Sequence, residues 1–197
     1  FDVGRKPSIQ ALEKAMGDGT PVFLVPQIDL TVEAPREQDL YQVGTISNVR
    51  QILRMPGNNV RVMVEGQCRA RMMCLTGTEP YLTAQVEEIP TQSAGRNSAR
   101  TEALIRSTYE LFQQYVEVGP QTSSDLLINI LASDDPGYIA DFVAQNIAMR
   151  NEDKQAVLAE LRPVRRLEKL HRLLVREVEI LALDQEIQNK AREQMND

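Results

Sequence analysis

Thiol and imidazole side chains are the first candidates for chemistry in this sequence. Cys68 and Cys74 could each supply a nucleophile, but a nucleophile needs a base, and His171 is the only histidine in the chain. A serine triad would depend on the same histidine. Neither cysteine belongs to a C-x-x-C pair, so the spacing of a metal site is absent. We therefore predict partly buried, unreactive thiols and a histidine at a helix surface or interface.

Carboxylate pairs and phosphate-binding loops give no stronger sign of catalysis. Glu87 and Glu88 are neighbours in a predicted strand, where adjacent side chains point to opposite faces. Asp134 and Asp135 precede a proline, a position at which aspartate commonly caps a helix. The sequence has no G-x-x-x-x-G-K-[ST] loop, no G-x-G-x-x-G after a strand and no G-x-S-x-G elbow. The residues thus predict a binding module that holds no cofactor or metal.

Basic residues cluster late in a chain whose net charge is −6. The cluster contains Arg162, Arg165, Arg166, Lys169, Arg172 and Arg176. We interpret it as the solvated face of a helix, because charge runs usually have that role. A basic stripe that binds DNA or an acidic partner is the alternative, although the acidic total does not favour a nucleic-acid protein.

One predicted hairpin carries apolar side chains on a charged face. Valines at 60, 62 and 64 share one face of a strand by the period-two rule, so Met63 lies on the other face, between Arg61 and Glu65. Methionine suits adaptable contacts because its flexible side chain can repack against many shapes. Nearby candidates for the same role are Leu53, Met55, Met72 and Met73. The alternative is that another element covers Met63 and that the other four belong to the core.

The elements that must position this hairpin are predicted to be strands. We expect a short helix over residues 9–16 that ends at Gly17, a buried strand over 22–25, and a loop over 29–39. The hairpin follows, with strands on either side of a turn at residues 56–59, and a bulge or bend is expected at Gly66. A last strand spans about residues 81–89. Together these elements form a predicted β-rich domain over residues 1–90.

After a small, polar linker at residues 91–99, the pattern predicts helices only, over residues 100–197. Four helices are expected over residues 104–115, 126–131, 136–147 and 154–161, and a long fifth helix begins at Pro163. The last helix has two apolar stripes, one with Leu167, Leu170, Leu174, Val178 and Leu181, the other with Leu173, Ile180 and Ile187. The fold class is therefore α+β, with a small β-rich domain followed by a helical bundle that ends in a long helix.

Signals for secretion and membrane insertion are not visible in the sequence. The first residues, FDVG, have neither the basic nor the apolar region of a signal peptide, and no window approaches the length of a membrane span. Two cysteines without a framework also fit a reducing compartment. We therefore expect a cytoplasmic protein with no membrane partner.

Short motifs along the whole chain resemble the amino-terminal region of bacterial Lon-type ATP-dependent proteases. They occur in the order and spacing of that family, and the ordered set is far more specific than any one motif. The first five are DVGR..S..ALEKAM (Asp2–Met16), VFLV.Q.D (Val22–Asp29), DLY.VGT (Asp39–Thr45), V.QILRMPG (Val49–Gly57) and RVMVEG..RA (Arg61–Ala70). The last three are DDPGYIADFVA (Asp134–Ala144), KQAVL (Lys154–Leu158) and RLEKLHRLLVREVEIL (Arg166–Leu181).

The resemblance implies a PUA-like β-domain, a helical bundle and a long helix that help to select substrates and to support a hexamer. It places the ATPase and Ser-Lys protease modules, with their ATP and Mg²⁺, downstream of this region, so no catalytic residue of the family matches a position here. Because the family has a strand before the segment that begins at Phe1, one sheet edge is expected to be open or filled by a neighbouring copy.

The predicted function is therefore recognition of unfolded or damaged polypeptide for a cytosolic ATP-driven protease. An oligomerisation scaffold with little client binding is the main alternative, because the long helix could pair with copies of itself. A stand-alone small-ligand module and a DNA-binding module are two further alternatives.

Overall fold

Strands fill the first part of the chain and helices the second in the computed structural model, which describes residues 1–119 and 125–196. The chain divides into two units, Phe1–Thr91 (unit 1) and Gln92–Asp197 (unit 2). Unit 1 contains β1 (Asp2–Val3), α1 (Lys6–Asp18), β2 (Val22–Leu24), β3 (Val43–Arg54), β4 (Val60–Gly77) and β5 (Thr83–Glu88). Unit 2 contains α2 (Ala99–Val118), α3 (Asp125–Leu131), α4 (Pro136–Asn146), α5 (Asn151–Ala159) and α6 (Pro163–Asn196). The predicted α+β class is confirmed.

The long hairpin of β3 and β4 is the centre of the sheet in unit 1. The strand order is β1-β4-β3-β2, and β5 pairs with the second half of β4. All four pairs of neighbouring strands are antiparallel. The hairpin turns through Pro56–Asn58, where Gly57 has a φ of 81° and Asn58 a φ of 61°. Glycine and asparagine tolerate these left-handed angles best, which explains the position of the turn.

Two β-bulges interrupt the pairing of the hairpin. Gln67 has no partner between the pairs Ile46–Cys68 and Ser47–Gly66, so the irregularity expected at Gly66 is confirmed. The second bulge is at Arg50, which has no partner between the pairs that Val49 and Gln51 make with β4. Its consequence is that Arg50 and Gln51 are both exposed, whereas Val49 and Ile52 on either side of them pack against the core.

Helix α1 covers the core face of the hairpin. Its Leu12 packs with Val60 and Val62, and the three side chains are at most 5% exposed. The helix ends at Gly19, whose φ of 66° suits a C-cap, rather than at the predicted Gly17, which lies inside the last turn. Strand β2 is half-buried rather than buried as predicted, because it lies at a sheet edge and pairs with β3 alone.

The core of unit 2 forms where α6 packs against α2 and α4. Its fully buried side chains include Phe112, Ile139, Leu167, Leu170 and Leu174. The first predicted stripe of α6 is therefore the core stripe. The second stripe is divided: Leu173 packs at the edge of the core, whereas Ile180 and Ile187 are exposed. Residues 182–192 of α6 are all exposed, because the helix continues past the bundle.

Candidate functional site

The residues with nucleophilic or basic side chains make structural contacts. Cys68 and Cys74 are half-buried in β4, and burial raises the pKa of the Cys68 thiol, which disfavours the reactive thiolate. His171 lies in α6, where its Nδ1 is 3.2 Å from Oγ1 of the buried Thr108. That hydroxyl donates to the carbonyl of Leu104 at 2.8 Å, so it accepts a hydrogen bond from Nδ1–H. Burial lowers the pKa of His171, and the neutral ring is a structural partner of α2.

The carboxylate pairs have the predicted places. Glu87 and Glu88 are exposed neighbours in β5. Asp135 caps α4, because its Oδ1 accepts hydrogen bonds from the backbone N–H groups of Gly137 at 2.8 Å and Tyr138 at 3.3 Å. Among the described residues, no group of three or more histidine, cysteine, aspartate or glutamate side chains could hold a metal ion.

The basic cluster is divided, because half of it is engaged within unit 2 and the other half is exposed as predicted, at Arg162, Arg165 and Arg172. Arg166 is 6% exposed, and its guanidinium lies 2.9 Å from Oδ2 of Asp141 and donates to the carbonyls of Glu160 and Leu161. Arg176 contacts Asp153 at 2.6 Å, and its guanidinium also contacts a neighbouring glutamate. These ion pairs weaken the case for a DNA-binding stripe, because their positive charge is already neutralised within the chain.

Exposed apolar side chains lie on the outer face of the β3–β4 hairpin. Met63 is 61% exposed and Leu53 is 47% exposed. Leu53 is directly opposite Arg61, and Met63 is directly opposite Gln51, so all four side chains share one face of the sheet. Leu53 and Met63 are therefore diagonal neighbours, within reach of each other for long side chains. We call the exposed side of Gln51, Leu53, Arg61, Met63 and Glu65 the hairpin face.

Two ion pairs flank the apolar part of the hairpin face. Arg61 donates to both carboxylate oxygens of Asp2 in β1, at 2.7 and 2.9 Å, and this contact lowers the pKa of Asp2. Arg50, at the bulge, donates to Oε2 of Glu65 from Nε at 2.6 Å and also from Nη2. Neither pair could be predicted from the sequence, because both depend on which residues lie near each other across strands.

The other three predicted contact residues differ in their positions. Met55 is half-buried at the end of the hairpin, next to the face. Met73 is 53% exposed, but it lies ten residues from Met63 along β4, roughly 30 Å at the usual rise per residue. Met72 is 7% exposed, because it alternates with the exposed Met73 along β4 and points to the opposite side of the sheet. The structure therefore leaves Met63 and Leu53 as one surface, with Met55 at its border, and removes Met72 from it.

A family comparison matches this chain over most of its length. Residues 1–176 match the family described as the ATP-dependent protease La (LON) substrate-binding domain. The chain belongs to this family. Relatives support the assignment: the Lon protease of Desulforamulus reducens is 36% identical over 195 residues, and that of Clostridioides difficile is 35% identical over 199 residues. These alignments cover 99% and 100% of this chain but only 24% and 25% of the relatives, so the Lon domain spans about a quarter of the curated proteins it matches.

Solved structures show the same fold. The amino-terminal domain of a Mycobacterium avium complex Lon protease superposes with a TM-score of 0.67 at 17% identity, covering 91% of this chain and 89% of that one. The Lon amino-terminal domain protein of Xanthomonas campestris gives a TM-score of 0.58 at 15% identity, with coverage of 86% and 85%. Within residues 1–119 and 125–196 of this Lon domain, no helix has the length and apolarity to cross a membrane.

Proposed function

We propose that this Lon substrate-binding domain recognises unfolded or damaged polypeptides, and that the hairpin face contacts them. The observation that carries the proposal is Met63, an apolar and flexible side chain that is 61% exposed on a face where only Leu53 is also apolar. Folded proteins bury most of their large apolar side chains, whereas unfolded chains expose them. An exposed methionine therefore gains most from contact with a client that is not folded.

The size of the face favours weak and adaptable binding. Met63 and Leu53 are two neighbouring apolar side chains, far fewer than the twenty or more residues per side of a typical stable interface. A small patch with a methionine can repack against many sequences, and it releases each of them quickly. A domain that selects many clients for another part of a protein needs both properties.

The remaining steps of proteolysis belong, in this proposal, to parts of Lon proteins outside this quarter of their length. ATP and Mg²⁺ are expected to act there, together with the Ser-Lys protease module that the sequence resemblance implies. The chain itself would then be a non-catalytic, cytoplasmic selection module within a larger hexamer.

The first experiment compares binding of this chain to a chemically unfolded protein and to the same protein in its folded form. Methyl NMR signals of the methionines would be followed during both titrations. We expect selective binding to the unfolded form, with the Met63 methyl signal shifted and the Met72 signal unchanged. Equal or absent binding to both forms would reject client recognition by this chain.

A scaffold role is the second candidate, because α6 leaves the bundle with exposed apolar residues. Ile180, Leu183 and Ile187 are 43, 58 and 64% exposed and follow the three- and four-residue spacing of one helix face. Two such faces could pair in a coiled coil. Light scattering over a range of protein concentrations tests this role: a mass that rises with concentration, and that Leu183→Lys returns to the monomer, would support it. A constant monomer mass would reject it.

A further inference from the structure

Met63 is exposed although its two neighbours on the same face of β4 have long side chains. Arg61 and Glu65 lie two positions before and after it on β4, roughly 7 Å away in each direction. Long charged side chains commonly lay their apolar stems over a neighbouring apolar group while the charge stays in water. Arg61 in particular could cover Met63 in this way, so its observed direction needs a cause.

The two ion pairs supply that cause, because each holds a charged side chain against a partner on a strand next to β4. Asp2 is directly opposite Arg61 on β1, and its carboxylate holds the guanidinium through two hydrogen bonds on the side of β4 that faces away from β3. Glu65 is bound by Arg50 from the other neighbouring strand, β3. With both pairs formed, 61% of Met63 remains accessible to solvent.

We propose that Asp2 and Arg50 are positioning residues that keep Met63 uncovered. Without Asp2, the nearest carboxylate along the exposed face of β4 is Glu65, and the line from Arg61 to Glu65 passes over Met63. The two Cα atoms are about 13 Å apart, a span that an extended arginine and an extended glutamate can bridge. Arg50 disfavours this contact of Arg61 with Glu65 because it already binds the Glu65 carboxylate.

The bulge at Arg50 contributes to this arrangement of charged residues around Met63. Regular alternation would send only one of Arg50 and Gln51 to the outer face, whereas the bulge exposes both. The additional outward residue is the one that binds Glu65. The bulge therefore adds a cation beside Met63 without moving Gln51 from its place opposite Met63.

The decisive measurement is the solvent exposure of Met63 in the free protein. Methionine methyl groups would be labelled with ¹³C, and their relaxation by a neutral, soluble gadolinium chelate would be compared in the wild type and in Asp2→Asn. Met73 and Met72 are internal references, because one is 53% and the other 7% exposed. We expect the Met63 effect to fall by about two-fold relative to that of Met73, since an arginine stem that lies over a side chain shields a large part of it.

Two further variants separate shielding by Arg61 from a general loss of structure. In Asp2→Asn combined with Arg61→Ala, the side chain at position 61 is too short to cover Met63, and we expect the exposure of Met63 to return to at least the wild-type value. In Asp2→Arg combined with Arg61→Asp, the ion pair is restored with its charges exchanged, and exposure should again resemble the wild type. An Asp2→Asn protein in which the ratio of Met63 to Met73 is unchanged would overturn the proposal.

The importance of an open Met63 for binding rests on the proposed function, but its exposure does not. The same variants would therefore be titrated with a chemically unfolded client. If Asp2→Asn shields Met63 and weakens client binding in parallel, both proposals are supported. If it shields Met63 while client binding stays constant, the positioning role stands and the hairpin face is rejected as the client site.

Discussion

Replacement of Met63 by glutamine tests the proposed site most directly, because glutamine keeps the length of the side chain and removes its apolar character. Full burial of a methionine side chain is worth about 1.5–3 kcal/mol. Since 61% of Met63 is still exposed in the free protein, a client that covers it can gain about 1–2 kcal/mol from this side chain. We therefore expect Met63→Gln to weaken client binding by about 5- to 30-fold.

The assay is a titration of a fluorescently labelled, chemically unfolded client, followed by anisotropy. Salt must be held constant, because charged groups surround Met63 and screening changes their contribution. Met73→Gln is the matched control: it alters another exposed methionine of the same strand, 53% accessible and roughly 30 Å away. We expect this control to retain the wild-type affinity, and both variants to retain the wild-type melting temperature.

Two results would refute the reasoning. Wild-type affinity in Met63→Gln would mean that clients do not bury this side chain. Equal losses in Met63→Gln and Met73→Gln would mean that binding depends on overall surface apolarity and not on the hairpin face.

Three predictions concern the stability of the two units, two of them in unit 2 and one in unit 1. Arg166→Met should lower the free energy of unfolding of unit 2 by about 2–4 kcal/mol, because two backbone carbonyls lose a charged hydrogen-bond donor. Urea unfolding followed by helical circular dichroism measures this loss. A loss below about 0.5 kcal/mol, the usual value for a surface substitution, would contradict the prediction. The lowered pKa of His171 means that the unfolded state binds the proton more tightly. The stability that the neutral His171 ring contributes is therefore complete above the ordinary pKa of 6.5 and is lost as pH falls through the lowered pKa of the folded state. This pH dependence of unfolding should be absent from His171→Asn. Gly44→Ala should destabilise unit 1 by about 1–3 kcal/mol in thermal unfolding, because a Cβ at this position would lie 2.7 Å from the Phe23 ring and would also meet a backbone carbonyl of β2. An unchanged melting curve would contradict this prediction and would show that β2 can move aside.

Local periodicity was enough to predict which side of β4 carries Met63, but not whether another element covers that side. Alternating valines at 60, 62 and 64 could be buried only if the strand turned its other side outward, and the structure has that arrangement. The order of the helices could also be predicted, because the apolar spacing and the cap at Asp135 are local signals. Such features depend on residues a few positions apart, which a sequence displays directly.

Features that depend on pairing across strands could not be predicted in this way. A bulge at Arg50 is defined by the register between β3 and β4, and the contact of Arg61 with Asp2 joins residues 59 positions apart. Met72 differs from these features, because it is buried at even positions with Val60 and Val62, so alternation along β4 already indicated that it points inward.

Arg166 was open to a better prediction. It lies four residues before Leu170 and eight before Leu174, so it shares the face of α6 that forms the core. A charge at such a position must find partners within the protein. The i, i+4 spacing therefore contained the signal for a buried ion pair, which a count of basic residues could not reveal.

Arg50, the bulge residue without a partner in the pairing of β3 with β4, also determines how this hairpin tolerates a change in length. Deletion of Arg50 would remove the bulge and restore strict alternation in β3, with Val49 and Ile52 still facing the core and Gln51 still facing solvent. The protein would lose the outward cation that binds the Glu65 carboxylate, whereas each apolar side chain of this arm would keep its side of the sheet. The bulge is therefore a place where a Lon domain can lose one residue of the hairpin without exchanging its core and solvent faces.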